Sequence, residues 1–204
     1  MKIFIFFALR AIPAFIITFI LFSLIRVKFF PHLKKGSSGF REFLLSVLAG
    51  YIAVLFVLLF TPNSYIAQSG INLTNENFDF VGNFKDRMNS GAWGVNLVPF
   101  RTILNYIKYS GIWHTFLNVA GNIIIFIPLG ILIPMIYKNY RNFKYILRIS
   151  ISLSFFIEFI QFFIGRSVDI DDLMLNVVGG LLGYGIWKNY LRYKFPDKKR
   201  RARV

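Results

Sequence analysis

Two apolar stretches of this chain carry polar groups that hydrocarbon would penalise. One reads His114, Asn118 and Asn122, followed by Phe126, Pro128 and Gly130. The other reads Glu158 and Gln161, leaves through Gly165-Arg166, and continues as Asp169, Asp172 and Asn176 into a further apolar run. Such groups inside membrane segments face a protein interior and mark a working site by default. A neutral acid at Glu158 could donate a proton, and a paired carboxylate could orient one. That makes Glu158 the candidate general acid or base, with His114 or Asp169 as its candidate catalytic partner. The same groups could instead brace the helices through buried hydrogen bonds, and both readings stay open. A phosphate-cradling glycine loop and a serine or cysteine nucleophile motif are both absent. A lone histidine among scattered carboxylates lacks the ligand spacing of a zinc site, and Asp169, Asp171 and Asp172 make only a remote set for a hard cation. The expectation is therefore neither metal nor cofactor.

The segments that must position these groups read as membrane helices. The 204 residues are 56% hydrophobic, blocked into long runs, with no cysteine. Five runs approach the ~20 residues needed to cross about 30 Å of hydrocarbon. They are Ile3–Ile25, Phe43–Pro62, Phe116–Tyr137, Tyr145–Ile164 and Leu173–Tyr190. A lipid-embedded backbone must satisfy its own hydrogen bonds, so the fold class is an all-α polytopic membrane bundle of about five transmembrane helices. The organisation expected is a two-helix membrane segment over 1–62, an external loop over 63–92, a second membrane domain over 93–190 and a basic cytoplasmic tail over 191–204.

Charge orients this bundle. The net charge is +15, and 17 of the 24 basic residues fall between the first two runs, between the third and the first turn of the fourth (to Arg148), or from Lys188 at the end of the fifth onward. These regions share one side of a five-span bundle, and the positive-inside rule makes that side cytoplasmic. The N-terminus, the 63–115 segment and the 165–172 loop are then external, and the protein is a multi-pass cell-membrane protein. The first run has no convincing small-residue cleavage site and reads as a retained anchor. The Lys198–Arg201 cluster is expected to touch anionic lipid rather than nucleic acid.

With that topology, Asn122 and Glu158 each lie about 9 Å below the outer boundary at 1.5 Å per residue, and Asn176 roughly 5 Å below it. Arg10 could reach a similar layer and could pair with Glu158, as could Arg166. Asn118 with Asn122, Glu158 with Gln161, and Asp172 with Asn176 each share a helix face. Asp172 could also cap the start of the fifth helix, and Asp169 could pair with Arg166. Before the third run, Leu97, Phe100, Leu104 and Ile107 fall at helical spacing behind Pro99. This predicts a short amphipathic interfacial helix in the outer loop, bracketed by Trp93 and Trp113. Gly179 and Gly183, four apart, permit close helix approach.

The ordered series Asn96-Leu97-Val98-Pro99-Phe100, His114, Asn118, Gly121-Asn122, Phe126, Pro128, Gly130, Glu158, Gln161, Gly165-Arg166-Ser167, Asp169 to Asp172, Asn176, Gly179-Gly180 and Gly183 resembles the VanZ-like family. The likeness runs from about Trp93 to Tyr190. The family is named for a membrane protein linked to teicoplanin resistance, so the resemblance implies an envelope role against teicoplanin-type lipoglycopeptides. Combined with the polar layer, it leads to an outward-facing pocket that binds an amphiphile. The amphiphile would be a lipid-linked wall precursor or the drug's acyl tail, and membrane lipids would be the standing partners. The binding residues would be Asn118, Asn122, Glu158, Gln161, Arg166, Asp169, Asp172 and Asn176. Two other readings are an intramembrane enzyme on a lipid-linked substrate, with Glu158 as general acid or base, and a transporter or flippase. The absence of a visible repeat weighs against the last. Oligomeric state is not legible.

Overall fold

The computed structural model describes residues 2–34, 37–61, 95–109, 112–163 and 168–195, with the side chains of residues 2–4, 33–34, 113–114 and 117 outside that description. The external loop over 63–92 and the tail beyond residue 195 also lie outside it. Within the described residues the chain is a helical bundle: α1 (Lys2–Phe29), α2 (Pro31–Lys34), α3 (Gly39–Phe60), α4 (Arg101–Tyr109), α5 (Ile112–Ile136), α6 (Phe143–Phe163), α7 (Ile170–Ile186) and α8 (Arg192–Lys194). A 3-10 turn, Lys138–Tyr140, joins α5 to α6, and a π turn, Trp187–Leu191, joins α7 to α8.

Four of these helices (α1, α3, α5 and α6) are long and apolar enough to cross a membrane. The expected fifth run is α7. Its α-helical part has 17 residues, and the helical path continues through the π turn and α8 to Lys194. α7 also starts three residues earlier than the apolar run suggested, because Asp169 caps it and places Asp171 and Asp172 in its first turn. α1 runs four residues past Ile25, and Arg26 there reaches the Glu42 carboxylate through two hydrogen bonds of 3.0 and 2.8 Å.

Helices α5 and α7 form the centre. A Cβ at Gly179 would collide with the Ile123 carbonyl, and one at Gly183 with the Ile127 carbonyl. The two glycines therefore bring the backbones into direct contact, as their spacing predicted. Around this pair, Phe126, Leu129, Leu132 and Ile136 of α5 pack with Leu44, Leu45, Tyr51 and Leu55 of α3 and with Ile157 of α6. α1 lies against α3 and keeps an apolar outer face, with Leu9 69% and Leu24 60% exposed. An apolar face of that extent is ordinary against lipid and would be a liability in water.

One feature departs from the all-helical expectation. Val95-Asn96 (β1) pairs in parallel with Val168-Asp169 (β2), ties Val95 to Val168 and Asn96 to Asp169, and docks the chain before α4 onto the α6–α7 connection. The amphipathic helix is present as α4, with no buried residue and with Leu104 and Ile107 exposed. It begins at Arg101 rather than at Pro99, because Phe100 adopts φ 64 and breaks the helical path.

Candidate functional site

The polar residues gather where α5 begins, α6 ends and α7 begins. Asp169 caps α7, its side chain accepting the Asp171 N–H at 3.0 Å. The Asp169 N–H in turn donates to Glu158 Oε2 at 3.1 Å. Glu158 is 4% exposed, so this amide meets part of its need for partners away from water. Asn96 donates from Nδ2 to Asp169 Oδ1 at 3.3 Å and to Thr102 Oγ1 at 2.9 Å. Its Oδ1 accepts the Val98 N–H at 3.2 Å.

Asp171 does the heaviest structural work here. It is 2% exposed and accepts the N–H of Phe100 at 2.5 Å, Thr102 at 3.0 Å and Ile103 at 3.3 Å. These are amides at the start of α4, which would otherwise lack partners. The helix dipole adds to the attraction for a carboxylate. The same contact holds Phe100 at positive φ, a conformation that costs a non-glycine residue about 1–2 kcal/mol. Thus α4 is pinned by a residue about seventy positions away.

A second group is half-buried. Asn122 Nδ2 donates to Asp172 Oδ1 at 2.5 Å, joining α5 to α7. Asn118, one turn earlier on α5, is also half-buried. The remaining sequence-predicted residues separate from these. Gln161 is buried and donates to the Leu59 carbonyl of α3 at 3.1 Å. Asn176 is buried with Ser154, donating to its Oγ at 2.9 Å. Ser154 precedes Glu158 by one turn on α6, so Asn176 occupies a deeper layer than expected. With α7 starting at Ile170, its depth becomes about 9 Å along the helix. Nearby, Ser150 Oγ and Asn176 Oδ1 are buried without a hydrogen-bond partner.

Arg166 and the His114 side chain lie outside the described residues. The contacts described for Arg10 stay on its own helix: a hydrogen bond to the Phe6 carbonyl at 2.9 Å and its guanidinium 3.5 Å from the Phe6 ring centre. The helix-capping role anticipated for Asp172 belongs to Asp169, and Asp172 serves Asn122 instead. Asp169, Asp171 and Asp172 point to three different partners, so they do not converge as a cation set would. Among the described residues no group of three His, Cys, Asp or Glu is placed to hold a metal ion.

A family model described as VanZ/LLP1 matches residues 48–192. The chain belongs to the VanZ/LLP1 family. The matched region begins inside α3, ends at the first residue of α8, and contains every residue of both hydrogen-bonded groups. Protein VanZ of Enterococcus faecium is 34% identical to this chain over 109 residues, a stretch covering 51% of the chain and 60% of that relative. The chain thus spans less than two thirds of the relative it matches. No solved structure matches it.

Sequence reasoning missed three members of this polar cluster in the VanZ/LLP1 chain. Asn96 stood in the family series without a role, Thr102 carried no signal, and Asp171 read only as a remote cation ligand. Their contacts to and from Asp169 and Asp171 span 68 to 73 positions along the chain, a separation that helical spacing cannot register.

Proposed function

We propose that this VanZ-like membrane protein works in the cell envelope by binding an amphiphile at the outer leaflet, either a lipid-linked wall precursor or the acyl tail of a teicoplanin-type lipoglycopeptide. The observation that carries the reading is the half-buried Asn122–Asp172 pair, joined at 2.5 Å beside the buried carboxylates of Glu158, Asp169 and Asp171. The buried carboxylates of Asp169 and Asp171 are engaged by backbone amides, and Glu158 by the amide of Asp169. The half-buried pair is the carboxylate-bearing part of the cluster that an incoming polar headgroup would reach, since the other three carboxylates are buried. Asn118, Asn122 and Asp172 would meet that headgroup, with Arg166 at the rim. Glu158 and Asp169 would form the floor, with Gln161 bracing α6 against α3 behind it and Asn176 supporting it from below.

The exposed apolar side chains of α4 lie beside this cluster and would rest on the membrane surface, keeping the entry at headgroup depth. The charge pattern supports an external site. The opposite end of the helices carries Arg26, Lys28, Arg41, Lys138 and Arg141, and cytoplasmic ends are the ones enriched in Lys and Arg. The N-terminus would then be outside and the tail cytoplasmic.

The test is expression in a susceptible host lacking a homologue. Wild-type protein should lower susceptibility to lipidated glycopeptides more than to non-lipidated ones. Asn122→Ala and Asp172→Asn should each lose that protection at matched protein abundance. Full protection in both variants eliminates the half-buried pair as the working site.

A further inference from the structure

The far end of the bundle holds a cavity of about 890 Å³ that none of the polar cluster lines. Five of its lining residues are cationic, namely Arg41, Lys138, Arg141, Arg192 and Lys194, and none is acidic. Among the described residues the acid of this end is Glu42, and Arg26 already engages both of its oxygens. The rest of the lining is mostly apolar, with the Phe40 and Phe195 rings stacked 5.2 Å apart and the indole of Trp187 forming part of the wall.

We propose that this cleft is a binding site for the phosphate headgroup of an anionic membrane lipid. The lipid phosphate sits among the five cations, and its chains leave along the apolar wall. Three observations argue for a built site over a mere accumulation of topology-setting charge. First, topology requires only that the cations lie on one side, whereas here the start of α3, the turn after α5 and the α7–α8 region bring them to one concavity. Second, two of the guanidiniums are anchored. Arg41 Nε donates to the Ile136 carbonyl at 3.3 Å, and Arg141 Nε donates to the Pro134 carbonyl at 2.9 Å with its carbon 5.5 Å from the Trp187 ring centre. Each planar group is therefore held in place at the cleft wall, and a planar fork of donors suits phosphate oxygens. Third, the π turn over Trp187–Leu191 resets the helical register just before Arg192 and Lys194, which then line the cleft. The cleft also lies at the end of membrane-spanning helices, the depth at which lipid phosphates reside. A soluble anion has no use for the aromatic wall.

The test uses the purified, delipidated full chain and reads lipid binding by native mass spectrometry. The probes are phosphatidylglycerol, phosphatidylcholine and inorganic phosphate. Wild-type protein should retain phosphatidylglycerol over phosphatidylcholine. The triple variant Lys138→Gln, Arg192→Gln, Lys194→Gln should weaken that binding by roughly tenfold or more, because each basic residue near an anionic lipid contributes separately. These three side chains are exposed, so the fold should survive. Arg192→Lys, which keeps the charge, should bind as wild type does. A matched control, Lys28→Gln, Lys144→Gln, Arg148→Gln, removes as much charge from the same end outside the cleft and should leave binding intact. Equal loss in the control means diffuse attraction and overturns the site. Equal retention of the two lipids by wild type, or inorganic phosphate binding as tightly as the anionic lipid, also overturns it.

Discussion

The two ends of this bundle solve the same problem with opposite chemistry. At one end, carboxylates accept from helix-start amides: Asp169 from the first turn of α7 and Asp171 from that of α4. At the other, arginines donate to the last carbonyls of α5, Arg41 to Ile136 and Arg141 to Pro134. Both arrangements satisfy backbone groups that a helix leaves open at its termini, and each places the favourable sign of charge against the helix dipole. The difference lies in how much is sealed. The acidic end buries the carboxylates of Glu158, Asp169 and Asp171 and leaves Asn96, Asn118, Asn122 and Asp172 half-buried. The basic end keeps a cleft between its cations. The buried acids are thus enclosed by the fold at one end, whereas the cations at the other line an open cleft.

This contrast can be broken most severely at Asp171. Replacing it with Ala leaves three backbone donors without a charged acceptor and should cost about 3 kcal/mol or more. Hydrogen exchange at Phe100, Thr102 and Ile103 would accelerate while α7 amides beyond Asn176 stay protected. Unchanged exchange would mean α4 is held by something else. A smaller loss is expected from Glu158→Ala, about 1–3 kcal/mol, since the buried Asp169 amide loses its acceptor. Glu158→Gln, which keeps an oxygen there, should recover most of it, as measured by reversible unfolding in mixed micelles.

On the basic side, Arg141→Ala should cost about 1 kcal/mol through the lost bond to the Pro134 carbonyl, without altering exchange in α4. Coupling between the ends would contradict the picture of two separate solutions. Phe100→Gly should stabilise the acidic end by about 1 kcal/mol by relieving the positive φ. Slower exchange of the Thr102 amide would report it. The smallest effect is expected midway between the ends. Ser150→Ala removes a buried hydroxyl without a partner and should be neutral to slightly stabilising in the same unfolding assay.

Much of this architecture can be read without coordinates. Blocked hydrophobicity marks α1, α3, α5 and α6 because a bilayer demands length and apolarity from each helix independently. The amphipathic period marks α4, and the Gly179–Gly183 spacing marks the α5 contact, since both are local patterns. The polar layer is legible as well. A carboxylate and several amides inside apolar runs are conspicuous one by one, and the ordered series from Asn96 to Gly183 resembles the family to which the chain belongs.

What the tertiary structure alone decided is which polar groups meet. Glu158 finds an amide of the β2 strand, Asp171 takes the start of α4, Asn176 drops to the Ser154 layer, and the helix cap passes from Asp172 to Asp169. Apart from the local Asp169 cap, these pairings join segments brought together by the α6–α7 connection, the β1–β2 bridge or helix crossing, so none repeats at a helical period. Periodicity records which face a residue occupies. The identity of its partner depends on rotation, depth and loop path, which the packing of the whole bundle sets.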